Sequence, residues 1–171
     1  MTVAVETGLW QLDPARTKVA IRHKTMWGLV TVKGVFATVA GEGEVRPDGT
    51  ARGTVTLDAA SLDTKNGKRD KHLRSADLFD VERHPTITFA VDDATVAQDD
   101  TVTVAGELTV HGITKPQPAV ARVTAASADE VTLDTEFTVD RDQFGMGWNQ
   151  LGMLRGLTTV VGTLVFTRVK G

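Results

Sequence analysis

Strict alternation of apolar and polar residues recurs along this chain and limits what it can fold into more than any other feature. Val19, Ile21 and His23 share one face of a period-two segment. Val55 and Leu57 alternate with Thr54, Thr56 and Asp58, and Ile87, Phe89 and Val91 alternate with Thr86 and Thr88. Val102, Val104, Gly106, Leu108 and Val110 form one face of a longer segment, and Val131, Leu133, Thr135, Phe137 and Val139 form another. Residues 158–169 are apolar on both faces near their middle, which predicts a strand covered on its second side as well. The side chains agree with the pattern: 51 of the 171 residues are Val, Thr or Ile. Stiffness at χ1 suits these residues to a pleated sheet better than to a helix. Turn signals such as Pro47-Asp48-Gly49 and Ser127-Ala128-Asp129-Glu130 separate the segments. Short connections imply antiparallel neighbours. About eight long strands must close or stack to protect their edges. With candidate strands of ten or more residues near 32–46, 101–111 and 158–169, an up-and-down barrel is favoured over a sandwich.

A chain of 171 residues makes one domain, here taken as 1–171. It contains no cysteine, which excludes disulfides, a thiol nucleophile and cysteine-ligated metals. A net charge of −3 gives no electrostatic basis for binding nucleic acid. No apolar run is long enough for a transmembrane helix. The opening MTVAVETGLW lacks the basic and apolar regions of a signal peptide, so a cytoplasmic location is expected unless a leader precedes it.

Two stretches leave the pattern. Residues 61–80 are charged, and the spacing predicts a short helix near 66–75, with Ser61 and Asp63 as candidate caps and Asp70 and Arg74 placed to pair. Residues 140–157 are glycine-rich and read as a mobile loop. Within an eight-stranded barrel the inward residues either fill the interior or leave room for one small ligand. Here many are Val, Ala, Gly or Thr, with Phe36, Phe89, Phe137 and Leu57 interspersed, so both outcomes stay open; any cavity would be apolar. None of the four histidines has another at i+2 or i+4, so no metal site is expected from local spacing. His23 continues an apolar face, as a core histidine or as a polar group aimed into a cavity. Arg69, Asp70, His72 and Arg74 form the densest polar cluster, either a solvated face or a charged rim. A phosphate loop and a serine-hydrolase elbow are both lacking.

Several motifs together resemble the YceI-like family of lipocalin-like polyisoprenoid-binding proteins, over nearly the whole length. Trp10, Asp13, His23, Gly34 and Phe36 fall on the family's opening. Ser61, Thr64, Arg69, Asp70, His72, Leu73, Phe79, Pro85 and Phe89 fall on its most diagnostic run. Gly106, Leu108, Thr109, Gly112, Thr114 and Pro116 match a hairpin, and Arg141, Phe144 and Gly145 match an Arg-x-x-Phe-Gly signature. One departure is Arg16-Thr17, where the family often has His-Ser. The resemblance implies an all-β fold: an extended eight-stranded antiparallel barrel with the helical segment near one end. It also implies a tunnel for an isoprenoid chain, such as a polyprenyl phosphate or a quinone tail.

The expected function is therefore a non-enzymatic carrier or sequestering protein for an isoprenoid lipid or other long apolar ligand, without a cofactor or metal. Homodimerisation is left open. Candidate walls are Ile21, Trp27, Phe36, Leu57, Phe89, Leu108, Phe137, Phe144, Met146 and Trp148, and candidate head-group residues are His23, Arg69, His72 and Arg141. Two rival readings remain. One is an enzyme using the Asp70–His72 pair or a metal. The other is a stress-related interaction protein with a filled barrel.

Overall fold

The alternating segments become strands of a single antiparallel sheet that closes on itself. In the computed structural model, the described residues are 6–25, 30–75, 79–97, 99–140, 144 and 157–169. The strands are β1 (Gly8–Leu12), β2 (Lys18–Thr25), β3 (Val30–Phe36), β4 (Val39–Val45), β5 (Ala51–Asp58), β6 (Leu62–Asp63), β7 (Thr86–Val96), β8 (Thr101–Val110), β9 (Ile113–Pro116), β10 (Ala119–Ala126), β11 (Glu130–Asp140) and β12 (Leu157–Arg168). Among the described residues one α-helix, α1 (Gly67–Arg74), lies off the sheet. Around the wall the order is β1-β4-β5-β7-β8-β10-β11-β12, and β12 pairs back onto β1 to close an eight-stranded barrel. β2, β3 and β6 continue the wall from the other part of the same β12 edge.

Two partners therefore share that one edge of β12. β1 takes Phe166–Arg168 and β2 takes Thr158–Thr163. Between them, the Val165 carbonyl accepts from the Asp13 N–H (2.8 Å), and the Val165 N–H donates to Thr17 Oγ1 (3.1 Å). The short 13–17 turn thus satisfies the ladder where the strand is interrupted, as buried backbone groups require. Val165 faces away from the interior and is still buried, so β12 is covered on both sides there. Arg16 faces outward in the same turn. It donates to Asp13 Oδ2 (2.8 Å) and makes a two-pronged contact with Glu130 (2.9 and 2.8 Å). The hydrogen bond from Arg16 holds the Asp13 carboxyl below its usual value. The departure at position 16 thus serves the outer wall.

A second break corrects the expectation of one strand over 32–46. β3 ends at Phe36 and β4 begins at Val39 because the chain changes partner there, from β6 to β5. Ser61 takes both freed donors: Ala37 N–H bonds to its carbonyl (3.1 Å) and Thr38 N–H to its Oγ (3.0 Å). A bulge bends the wall where Val91 faces Gly106 but Asp93 faces Ala105. The extra residue shifts the inward parity of β7 from Ile87, Phe89 and Val91 to Ala94 and Val96. Gly106 permits close approach at this point, since a Cβ there would lie 2.6 Å from the Ala90 carbonyl oxygen and 3.0 Å from the Phe89 ring.

Apolar side chains face inward in two clusters. One contains Leu12, Phe36, Leu62, Ile87 and Leu108, and the other contains Trp10, Val45, Val102 and Val131. The outer face carries exposed Arg22, Glu107, Arg122, Asp134 and Glu136. This polarity is the reverse of a membrane-spanning barrel, whose outer band is apolar. No helix among the described residues is long and apolar enough to cross a membrane.

The predicted helix forms over Gly67–Arg74, but its cap is Asn66, whose side chain accepts from Arg69 N–H (3.0 Å). Ser61 is occupied at the β3–β4 break, and Asp63 accepts from Lys65 N–H (2.8 Å). The expected Asp70–Arg74 pair is replaced as well. Asp70 turns inward, 6% exposed, and accepts from the Thr64 N–H (3.1 Å) and the Thr64 hydroxyl. Arg69 completes the knot by donating from Nε to Thr64 Oγ1 (2.8 Å) and from Nη2 to the Thr64 carbonyl (2.7 Å). Arg74 instead reaches the Leu62 carbonyl (3.4 Å).

Two substitutions test this framework by urea denaturation. Gly106→Ala is expected to cost about 1–3 kcal/mol, because the new methyl meets a backbone oxygen that cannot turn aside; unchanged stability would contradict the close β7–β8 approach. Asp70→Asn is expected to cost roughly 1–3 kcal/mol, because the neutral amide loses the charge assistance of both bonds from Thr64 and puts an NH2 donor where Oδ2 faces the Thr64 N–H (3.2 Å). An unaffected midpoint would show that the knot does not hold α1.

A candidate ligand-binding cavity

The inward parity of the strands sets what lies inside. The interior encloses about 750 Å³ of free volume, within the roughly 300–1,000 Å³ usual for small-molecule sites. The side chains of the described residues thus leave this space unfilled. At one end the lining includes His23, Thr64, Arg69, His72 and Phe79. Through the middle run Val55, Leu108 and Val160 with Phe89 and Phe137, whose ring centroids are 5.9 Å apart at an interplanar angle of 43°. Three places separate β7 from β11 around the wall, so these rings meet across the interior rather than along it. At the far end the lining includes Trp10, Val45, Val102 and Phe166, with Glu42, Glu44 and Arg52 beyond them.

Nine of the residues expected from the sequence line this one cavity: Ile21, His23, Phe36, Leu57, Arg69, His72, Phe89, Leu108 and Phe137. They come from β2, β3, β5, α1, β7, β8 and β11, and only barrel closure brings them together. Phe144 is placed differently. It is 2% exposed in the core and is not on the cavity surface. Its carbonyl faces His111 Nδ1 (3.2 Å). Trp27, Arg141, Met146 and Trp148 lie outside the described residues.

Polar groups are distributed unevenly. His23 Nδ1 is 2.8 Å from Thr158 Oγ1, and both side chains line the cavity. Arg69 lines the same cavity and is fixed by its two bonds to Thr64. A guanidinium held in this way is pre-organised to meet an anionic or carbonyl oxygen. At the opposite end Glu44 and Arg52 form an exposed pair (3.3 Å), worth little by itself. Asp70 is not on the cavity surface, and its carboxylate is committed to Thr64. Its bonds thus go to Thr64 rather than to orienting His72 as a base, the role that the sequence suggested for it.

Trp10, Thr64, Phe79 and Phe166 also line the cavity and were not among the expected site residues. Trp10 and Phe166 were detectable by extending the alternation of their strands. Thr64 and Phe79 follow or precede irregular chain, where no periodicity marks the inward side.

Known proteins share this architecture. The structure of BcnA from Burkholderia cenocepacia superposes with a TM-score of 0.81 at 23% identity, covering 90% of this chain and 98% of that one. A polyisoprenoid-binding domain from Saccharophagus degradans, implicated in plant cell wall breakdown, gives 0.76 at 15% identity, covering 96% of this chain and all of that one (100%). At such identities the likeness concerns the fold. In sequence, a UPF0312 protein of Ectopseudomonas mendocina is 40% identical over 76 residues, which is 44% of this chain and 40% of the relative; the match spans well under half of that protein's length. A UPF0312 protein of Staphylococcus aureus is 32% identical over 127 residues, which is 70% of this chain and 71% of the relative. The family model for the YceI-like domain matches residues 10–168, from Trp10 to the end of the closing strand, and the chain belongs to that family.

Proposed function

We propose that this protein binds an amphiphilic isoprenoid lipid, such as a polyprenyl phosphate or an isoprenoid quinone, and carries or sequesters it without chemical change. The observation that supports this reading best is an apolar cavity of about 750 Å³ with one basic end. The saturated and aromatic lining suits a prenyl tail, and His23, Arg69 and His72 suit an oxygen-rich head. Trp27, Arg141, Met146 and Trp148 remain in the site in this proposal on the family motifs and the sequence alone.

Burial is the driving force. Each methylene moved from water into such a cavity contributes about 0.8 kcal/mol, so a five-carbon prenyl unit contributes up to about 4 kcal/mol before ordering costs. Tail length should therefore set affinity, and the head should set selectivity. The likeness to a polyisoprenoid-binding domain points the same way. A filled-barrel interaction module fits the free volume poorly, and an acid–base enzyme fits poorly with Asp70 spent on Thr64.

Geranylgeranyl monophosphate and geranylgeraniol are suitable probes, read by native mass spectrometry and intrinsic tryptophan fluorescence. The native chain should take up one molecule of either and prefer the phosphate. Val104→Phe, which projects a larger ring into the cavity, should weaken both probes at least tenfold while the circular dichroism stays native. Arg69→Gln should erase the preference for phosphate and leave the alcohol bound. Absence of uptake, or uptake indifferent to Val104→Phe, would refute the proposal.

A further inference from the structure

Three potential ligands for a metal converge outside the cavity, at the end of the barrel where α1 lies. Asp80 follows the helical segment, His84 precedes Pro85 at the entry to β7, and His111 occupies the turn between β8 and β9. We propose that Asp80, His84 and His111 bind one divalent transition-metal ion of the zinc type.

Local backbone brings the first two together. The Asp80 carbonyl accepts from both Arg83 N–H (3.1 Å) and His84 N–H (2.8 Å), closing one turn that puts Asp80 and His84 side by side. The third arrives through a tight hairpin. His111 and Gly112 both have positive φ, at 55° and 74°, the requirement of a two-residue turn that matches strand twist. Gly112 also leaves space for the neighbouring ring, since a Cβ there would lie 2.7 Å from His84 Cε1. The two imidazoles then meet edge to face, with centroids 4.9 Å apart and planes at 68°.

The resulting geometry is that of an incipient coordination shell. One donor atom from each of the three residues lies within 4.8 Å of the other two. Zinc bonds of about 2.0–2.2 Å in a tetrahedron would set donors roughly 3.3 Å apart, so modest side-chain rotations close the shell. The Nδ1 of His111 is 3.2 Å from the Phe144 carbonyl. A carbonyl only accepts, so this bond is made with the proton on Nδ1, and the neutral tautomer that makes it offers Nε2 as a metal ligand. Such an outer hydrogen bond commonly orients a metal-bound histidine. Competition for the carboxylate is weak: Arg83 Nε is 3.9 Å from Asp80 Oδ2, with Arg83 81% exposed and Asp80 15% exposed.

Donor chemistry narrows the ion. Two imidazole nitrogens and one carboxylate are the donor set of zinc sites that retain an open fourth position. Calcium and magnesium prefer an all-oxygen shell, and no thiolate is present to favour copper(I). A bound ion would tie the α1–β7 connection to the β8–β9 turn. Phe79, Ile87 and Val110, close in sequence to the three ligands, line the cavity. The ion would therefore brace that end of the barrel, whatever the cavity holds.

The test uses the untagged full chain stripped of metal. Calorimetric titration with Zn²⁺ should show one equivalent bound, and Co²⁺ should give the visible absorption of a four-coordinate site. Zn²⁺ should also raise the melting temperature. Asp80→Asn, His84→Gln and His111→Asn should each weaken Zn²⁺ binding at least tenfold; asparagine tolerates the left-handed backbone at positions 80 and 111. The triple variant should abolish both the cobalt spectrum and the thermal shift. A native chain that binds no more Zn²⁺ than the triple variant, or a stoichiometric site that survives His111→Asn, would overturn the assignment.

Discussion

Closure of the hydrogen-bonded ladder at β12 is the constraint on which the rest of this structure depends. A sheet that ended at β12 would expose a long edge, and its inner face would open to water. One edge instead accepts two short strands end to end, and the Asp13–Thr17 turn satisfies the residue between them. The barrel is thereby closed at one end by β1 and β4 and extended at the other by β2, β3 and β6. Dividing both members of the first hairpin in this way lets one sheet serve as a ring and as an overhang. The overhang is where α1 docks, and so where the basic residues reach the interior.

Given closure, side-chain size decides what the interior becomes. Eight strands enclose a space that large residues can fill. Positions such as Gly53, Ala94, Ala119, Ala121 and Gly162 line the interior with almost no side chain. Phe89 and Phe137 occupy only the middle. Apolar walls without polar partners hold water poorly, so the free volume is suited to a guest that displaces no hydrogen bonds. At the α1 end His23 and Arg69 are oriented by Thr158 and Thr64, whereas Glu42, Glu44 and Arg52 lie at the opposite end. Under the proposed function, this difference between the ends would give a long guest a direction.

Much of the architecture was legible because period two is a strong and redundant signal. The inward faces of β8 and β11 follow the alternation without exception, and nine site residues could be named from it and from the family motifs. The failures share a cause. The 32–46 strand looks continuous because alternation does not register a change of partner, and the break is held by Ser61, which is distant in sequence. Asp70 looked like half of a surface ion pair because helical spacing suggests Arg74, whereas its true partner, Thr64, lies before the helix. Histidine spacing gave no hint of the Asp80–His84–His111 cluster, since a turn and a hairpin from different parts of the chain create it. The parity shift in β7 was visible as the Asp92–Asp93 pair, which interrupts the alternation.

The central claim is that the barrel interior is a room for an apolar guest and not a packed core. High-resolution crystallography of the protein purified without detergent or denaturant tests this most directly. The account predicts continuous tubular density between the Phe89–Phe137 pair and the Arg69–His72 end, or an open cavity of the same outline. An interior in which Phe89, Phe137 and Phe166 collapse inward and leave no continuous space would contradict it.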